Sequence, residues 1–197
     1  MKKSVFTMSV VLVLSVLSWG IWAVAEEQSM TPAGKHEMKH EAAQFDDKGA
    51  LMMPTKYREW VFVGAPVTPN DMNDGKAAFP EFHDVYIDRM SFADYKKTGK
   101  FRDGTVLVKE LVSVGAKKAA SGNGYFPGDF SGIAVAVKDS KRFATEPGNW
   151  AYFSFATGKM TADALPTASC NKCHKDNAAE DWVFSQYYPV LKAAKKK

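Results

Sequence analysis

Cys170, Cys173 and His174 lie within Ser169-Cys-Asn-Lys-Cys-His-Lys-Asp-Asn177, in a chain of 197 residues with only two cysteines. Several chemistries use thiols at this spacing. A disulfide between them would close a very small loop and stabilise little. A dithiol redox pair wants a strand before it and a helix opening at the first cysteine, and Pro166-Thr-Ala-Ser169 is a poor context for that. A structural zinc site needs a fourth ligand and a different spacing. Covalent haem uses all three residues. The two thiols add to the vinyl groups as thioethers, and the adjacent histidine turns under the iron and ligates it through Nε2. The spacing therefore predicts a c-type haem held by Cys170 and Cys173, with His174 as the metal ligand.

The other axial position decides what such a haem is for. An electron carrier wants a second strong protein ligand, commonly methionine. Met160 precedes the motif, and Met52, Met53, Met72 and Met90 fall in no pattern that selects one. The motif sits near the C-terminus of a body that reads as strands. A sheet scaffold with an open iron is the expectation, and an open iron means ligand binding or catalysis.

The elements that must position these residues follow from periodicity. Tyr57 to Val63 reads as a strand that becomes buried, and His83 to Ile87 as a second. Residues 64–80, rich in Pro, Asn, Asp and Gly, read as a long loop. Ser91 and Asp94 have the form of a capping box, opening a short helix that ends near Gly99. Thr105 to Val114 is the strongest strand. Val106, Val108, Glu110, Val112 and Val114 share one face; Leu107, Lys109 and Leu111 share the other. Each face thus carries one charge among apolar residues, a local conflict that needs a reason. Pro127-Gly128 reads as a turn, Phe130 to Lys138 as a strand with Gly132, Ala134 and Ala136 on one face, and Trp150 to Phe155 as the last strand. The small residues leave room for something flat. Asn177 to Tyr187 carries a helical pattern.

Lys2 and Lys3, the uncharged stretch Ser4 to Ala25 and the closing Ala23-Val24-Ala25 read as a secretory signal cleaved after Ala25. Residues 26–50 read as a flexible segment, in which His36, His40, Met30 and Met38 make at most a weak metal site. Residues 51–197 read as a single domain. The formal net charge is +4, and loss of Lys2 and Lys3 brings acids and bases close to balance. Interspersed, balanced charge argues against nucleic acid as a partner. The lysines at the C-terminus form a small positive patch.

Six stretches carry a family resemblance: YREWVFVG (57–64), VTPNDMNDGKAAF (67–79), KKTGKFRDGTVLVKELVSVG (96–115), SGNGYFPGDF (121–130), KRFATEPGNWAYF (141–153) and PTASCNKCHKDNAAEDWVFSQYYPVLKA (166–193). They resemble cytochrome P460, a family of periplasmic haem proteins related to the β-sheet cytochromes c′. The resemblance implies an α+β fold, an antiparallel five-stranded β-sheet with flanking helices, and a homodimer in the periplasm. It implies a P460-type haem c bonded to a strand lysine as well as to the two cysteines. Lys109 occupies that lysine's place, which would account for a lysine inside an apolar strand; the residues alone favour a lysine snorkelling to solvent. The family activity is oxidation of hydroxylamine, with nitric oxide chemistry, to nitrous oxide or nitrite. It requires an external redox partner, such as a small periplasmic cytochrome c, and a group that moves protons near the iron.

The chain departs from the family pattern at two places. Active relatives carry a glutamate where this chain has Ala134, and a methyl group accepts no proton. His83 stands where a relative has arginine. It reads as a surface strand residue or, alternatively, as a distal proton acceptor titrating near neutral pH. Asp129 and Glu110 are weaker carboxylate candidates. The alternative function is a cytochrome c′-like protein that binds nitric oxide without turnover.

Overall fold

The structure is a computed structural model and describes residues 43–195. The proposed signal, His36, His40, Met30, Met38, Lys196 and Lys197 lie outside the described residues. The packed body reaches upstream of Leu51: Phe45 bridges to Leu51 and packs edge-on against Phe143 and Phe153.

Among the described residues, nine strands and three α-helices follow in chain order: β1 (Leu51–Met52), β2 (Val61–Gly64), β3 (Phe82–Ile87), α1 (Arg89–Thr98), β4 (Val106–Val114), β5 (Lys118–Ala119), β6 (Gly122–Asn123), β7 (Pro127–Lys138), β8 (Trp150–Ala156), β9 (Thr161–Ala162), α2 (Thr167–Asn177) and α3 (Pro189–Ala194). Five of them form one sheet in the order β2-β3-β4-β7-β8, antiparallel at every pair. The fold is therefore α+β, with helices flanking a five-stranded antiparallel sheet.

Strand alternation divides the core in two. Val106, Val108, Ile133, Val135, Val137, Phe153 and Phe155 form one cluster with Leu51 and Tyr57. Val85, Ile87, Leu107 and Tyr152 point the other way, into a cluster with Trp150, Val183, Tyr188 and Leu191, and Cys170 packs against it. The second face is the one the haem-motif helix covers.

Several elements differ from their sequence reading. Residues 57–63 are not one strand. Tyr57–Glu59 is a 3₁₀ turn, closed by the Trp60 N–H on the Tyr57 carbonyl, and pairing begins at Val61. The turn brings the Arg58 guanidinium to Glu110, whose carboxylate accepts from Nε at 3.0 Å and Nη2 at 2.5 Å. That ion pair explains the acid on the strand's apolar face. The cap of α1 is Asp88, not Ser91. Its Oδ1 accepts from the Ser91 N–H at 2.8 Å, and its Oδ2 accepts from the Val106 N–H at 3.0 Å, which ties the helix to β4. Strand β7 begins at Pro127, through the residues read as a turn, because its first residues pair with Val112 and Val114 across bulges. The helix expected over 177–187 lies upstream, as α2, over the cysteines themselves. Residues 178–188 instead make a tight turn and a 3₁₀ turn, and Pro189 opens α3 at its first position, where no N–H is missed.

Candidate haem site

Helix α2 carries Cys170, Cys173 and His174 on adjoining turns. No disulfide joins the two cysteines; Cys170 is half-buried and Cys173 exposed. The His174 ring lies between Tyr152 and Phe184, with centroids 4.5 and 4.7 Å away. Its Nδ1 is 2.7 Å from the Trp182 carbonyl oxygen. A carbonyl can only accept, so Nδ1 carries the proton. The lone pair is then on Nε2, the atom the sequence reading assigns to iron. Burial, foremost, keeps His174 below its ordinary pKa, consistent with a neutral, ligating imidazole.

Lys109 stands opposite on β4. Its backbone pairs with Val85 on one side and Ala134 on the other, so it faces α2 from the middle of the sheet. Burial lowers its pKa, opposed by Cys170, Glu81 and Cys173. The same interactions show that its ammonium lies within electrostatic reach of both thiols. Among the described residues it has no carboxylate in ion-pair contact; its Nζ sits 3.8 Å from the centroid of the Phe79 ring. Such a cation–π contact recovers part of the desolvation cost of a half-buried ammonium. The lysine does not escape to open solvent, contrary to the residue-based reading of snorkelling.

The segment bearing Phe79 also brings Glu81 and His83. His83 shares the Lys109 face, two residues before Val85. It is not a surface residue, because its Nε2 is buried. The ring packs edge-on against Phe79, with centroids 5.9 Å apart. Burial first, then the Lys109 charge, lowers its pKa to about 4, so it is neutral at pH 7 rather than poised near it. Glu81 Oε2 and the Tyr152 hydroxyl are likewise buried without a partner among the described residues. Unpartnered polar atoms on one face are costly unless something else meets them.

Ala134 is half-buried and pairs with Lys109 and Ser154. With Ala136 it keeps the floor beside Lys109 low. Gly132 is small for another reason. A Cβ there would come within 2.4 Å of the Phe155 carbonyl oxygen, and its φ of +141° suits glycine alone. Glu110 lies on the opposite face of the sheet and leaves the set of candidates. Asp129 is exposed, and its N–H is taken by the Ser113 hydroxyl.

The residues fit a covalently bound haem. Two cysteines outside any disulfide and a correctly tautomerised histidine come from α2, a lysine faces them, and unpartnered polar atoms of Glu81, His83 and Tyr152 lie on the same face. Among the described residues, no three His, Cys, Asp or Glu side chains form a metal-holding cluster. A porphyrin brings four nitrogen ligands of its own, so one histidine is enough. Phe79, Glu81 and Tyr152 escaped the sequence reading. Alternation from His83 would have found Glu81, two residues upstream; nothing in the sequence marks the Trp182 carbonyl.

Sheet and site together define a class: a β-sheet protein with a c-type haem-attachment helix laid across one face. The chain belongs to the cytochrome P460 family, whose model matches residues 54–185, from before β2 to beyond α2. This makes it a haem protein of the cytochrome P460 type. No curated protein matches the chain. Among the described residues, no helix is long and apolar enough to cross a membrane.

Proposed function

We propose that this protein is a periplasmic P460-type haem enzyme that oxidises hydroxylamine, with nitric oxide chemistry, to nitrous oxide or nitrite. Its haem is bonded to Cys170, Cys173 and Lys109, with His174 on the iron. The observation that carries the reading is Lys109. It is half-buried on the α2 face of the sheet, within electrostatic reach of both cysteines, and burial favours its neutral, nucleophilic amine.

The bound haem supplies an open iron that takes electrons from the substrate. The rest falls to side chains. Converting two hydroxylamines to nitrous oxide and water releases four protons and four electrons, so the pocket needs proton acceptors. His83 offers a neutral imidazole with a buried, unpartnered Nε2, and Glu81 offers a carboxylate oxygen with no other partner among the described residues. Phe79, stacked on Lys109 and edge-on to His83, fixes the segment that presents both. Electrons leave to a small periplasmic cytochrome, for which exposed Lys175 on α2 offers a docking charge, Lys172 being paired with Asp176. A homodimer is supported by Phe62 and Phe130, 45% and 36% exposed on the sheet face away from α2; light scattering tests it.

One observation favours a second reading. Ala134 puts a methyl group beside Lys109 where active relatives carry an acid, which suits a protein that binds nitric oxide without turnover. Two experiments separate the readings. Peptide mass spectrometry of the digested holoprotein should find the Lys109 fragment travelling with the haem and the Cys170–His174 fragment. A haem held by the cysteines alone would refute the lysine bond. Steady-state oxidation of hydroxylamine with an artificial acceptor should exceed that of free haem. Nitric oxide binding without such turnover would select the second reading.

A further inference from the structure

The carbonyl that holds His174 belongs to an unfavourable piece of backbone. Glu180 and Val183 bridge each other, with the Val183 N–H donating to the Glu180 carbonyl at 2.7 Å. Between them, Asp181 and Trp182 have φ of 43° and 60°. Two positive φ values in succession describe a type I′ turn, whose central positions normally go to Asn and Gly. Tryptophan is among the least suited residues there, and such conformations persist only where the surroundings over-determine them.

The surroundings do so from two directions. The Asp181 carboxylate pairs with Lys138 and accepts from the Trp150 indole N–H at 3.4 Å. Both partners are ends of sheet strands. The Trp182 ring lies against Gly148, where a Cβ would fall 2.6 Å from Cε3, and Gly148 itself has φ 65°. The ring's own Nε1 makes no hydrogen bond among the described residues, so the ring is located by shape. The product of these anchors is the Trp182 carbonyl, 2.7 Å from His174 Nδ1.

We infer that the strained Glu180–Val183 turn is a positioning device for the axial histidine. Asp181 and Gly148 hold the Trp182 carbonyl on Nδ1, and this fixes the rotation and the donor strength of the imidazole. A hydrogen bond from Nδ1–H gives the ring imidazolate character, which strengthens its donation to iron and favours the ferric state. The inference rests on the reading of His174 as the iron ligand.

The test is resonance Raman spectroscopy of the ferrous, ligand-free holoprotein, with a redox titration, on Asp181→Ala, Asp181→Asn and Gly148→Ala. Asparagine tolerates positive φ and can still accept from Trp150 but loses the Lys138 ion pair, so Asp181→Asn should move the iron–imidazole stretch clearly less than Asp181→Ala does. Asp181→Ala and Gly148→Ala should move it to lower frequency and raise the midpoint potential. Circular dichroism and haem content identify any variant that fails to assemble; if Gly148→Ala does, the two Asp181 variants decide. Absence of an iron–imidazole mode in the wild type would overturn the ligand assignment itself. A wild-type mode that both assembled variants keep, with unchanged potential, would overturn the positioning role alone, since a purely structural role predicts lost stability at constant frequency and potential.

Discussion

Acidification should destabilise this protein through His83. The ring is held neutral by burial and by the Lys109 charge, with a pKa of about 4 against an ordinary 6.5. Above 6.5 neither the folded nor the unfolded chain protonates it, and its stabilising contribution is complete. Between 6.5 and about 4 the unfolded chain binds a proton that the folded chain refuses, so stability falls as pH falls. Below about 4 both states bind it and the loss levels off. At about 1.36 kcal/mol per pH unit the full interval is worth about 3.4 kcal/mol. His83 is only partly buried, and solvent screens its charge. Bonding of Lys109 to haem would also remove the smaller of the two causes. About 2 kcal/mol is the expected loss between pH 7.5 and 4.5. Urea unfolding of the holoprotein, followed by circular dichroism across that range, measures it. His83→Gln keeps a polar side chain of similar size beside Phe79 but cannot titrate. Its stability should fall by about 2 kcal/mol less than wild type over the same range, the carboxylates being common to both. Parallel curves for the two proteins would refute a half-buried, neutral His83, and with it the base proposed for proton removal.

Three further outcomes follow from single contacts. Ala134→Glu places a carboxylate beside Lys109 and should raise hydroxylamine turnover; an unchanged rate in a correctly loaded variant would sink the proton-relay argument. Arg58→Ala strands the buried Glu110 carboxylate and should cost about 2–3 kcal/mol in urea unfolding, less than a fully buried pair because Arg58 is itself exposed. The haem spectrum should not change, because Glu110 lies on the far face of the sheet; a spectral shift would contradict that placement. Asp88→Asn turns one of two accepting oxygens into a donor facing a backbone N–H. It should cost about 2 kcal/mol, at the upper end for a helix cap, and a loss below about 0.5 kcal/mol would count against the double cap.

Where the sequence misled, the cause was usually a partner far along the chain. Tyr57–Glu59 has the composition of a strand, yet Arg58 is turned out of it by Glu110, 52 residues away. Ser91 had a plausible capping pattern, but Asp88 caps the helix and also binds Val106. Residues 178–188 carry apolar spacing suited to a helix, but Trp182 and Val183 are drawn into the turn that serves His174. Gly132 suggested space for a ring system and turned out to answer a neighbouring carbonyl. Strand β4 was legible in full, because alternation is a local property that tertiary contacts had no cause to override.

The sequence by itself determined the kind of cofactor chemistry. Cys170, Cys173 and His174 are neighbours in the chain, and one turn of helix is enough to gather the three side chains that the proposed haem attachment needs. It also marked Lys109 as anomalous and set which side chains share its face, because strand alternation follows from backbone geometry alone. Tertiary structure decided which face α2 covers, that Glu110 is excluded and Glu81 included, and that His83 is half-buried and neutral. It decided, too, that a strained turn at Asp181 and Trp182 delivers a carbonyl to His174. Those are matters of burial, field and packing, and each is set by residues brought together only when the sheet assembles.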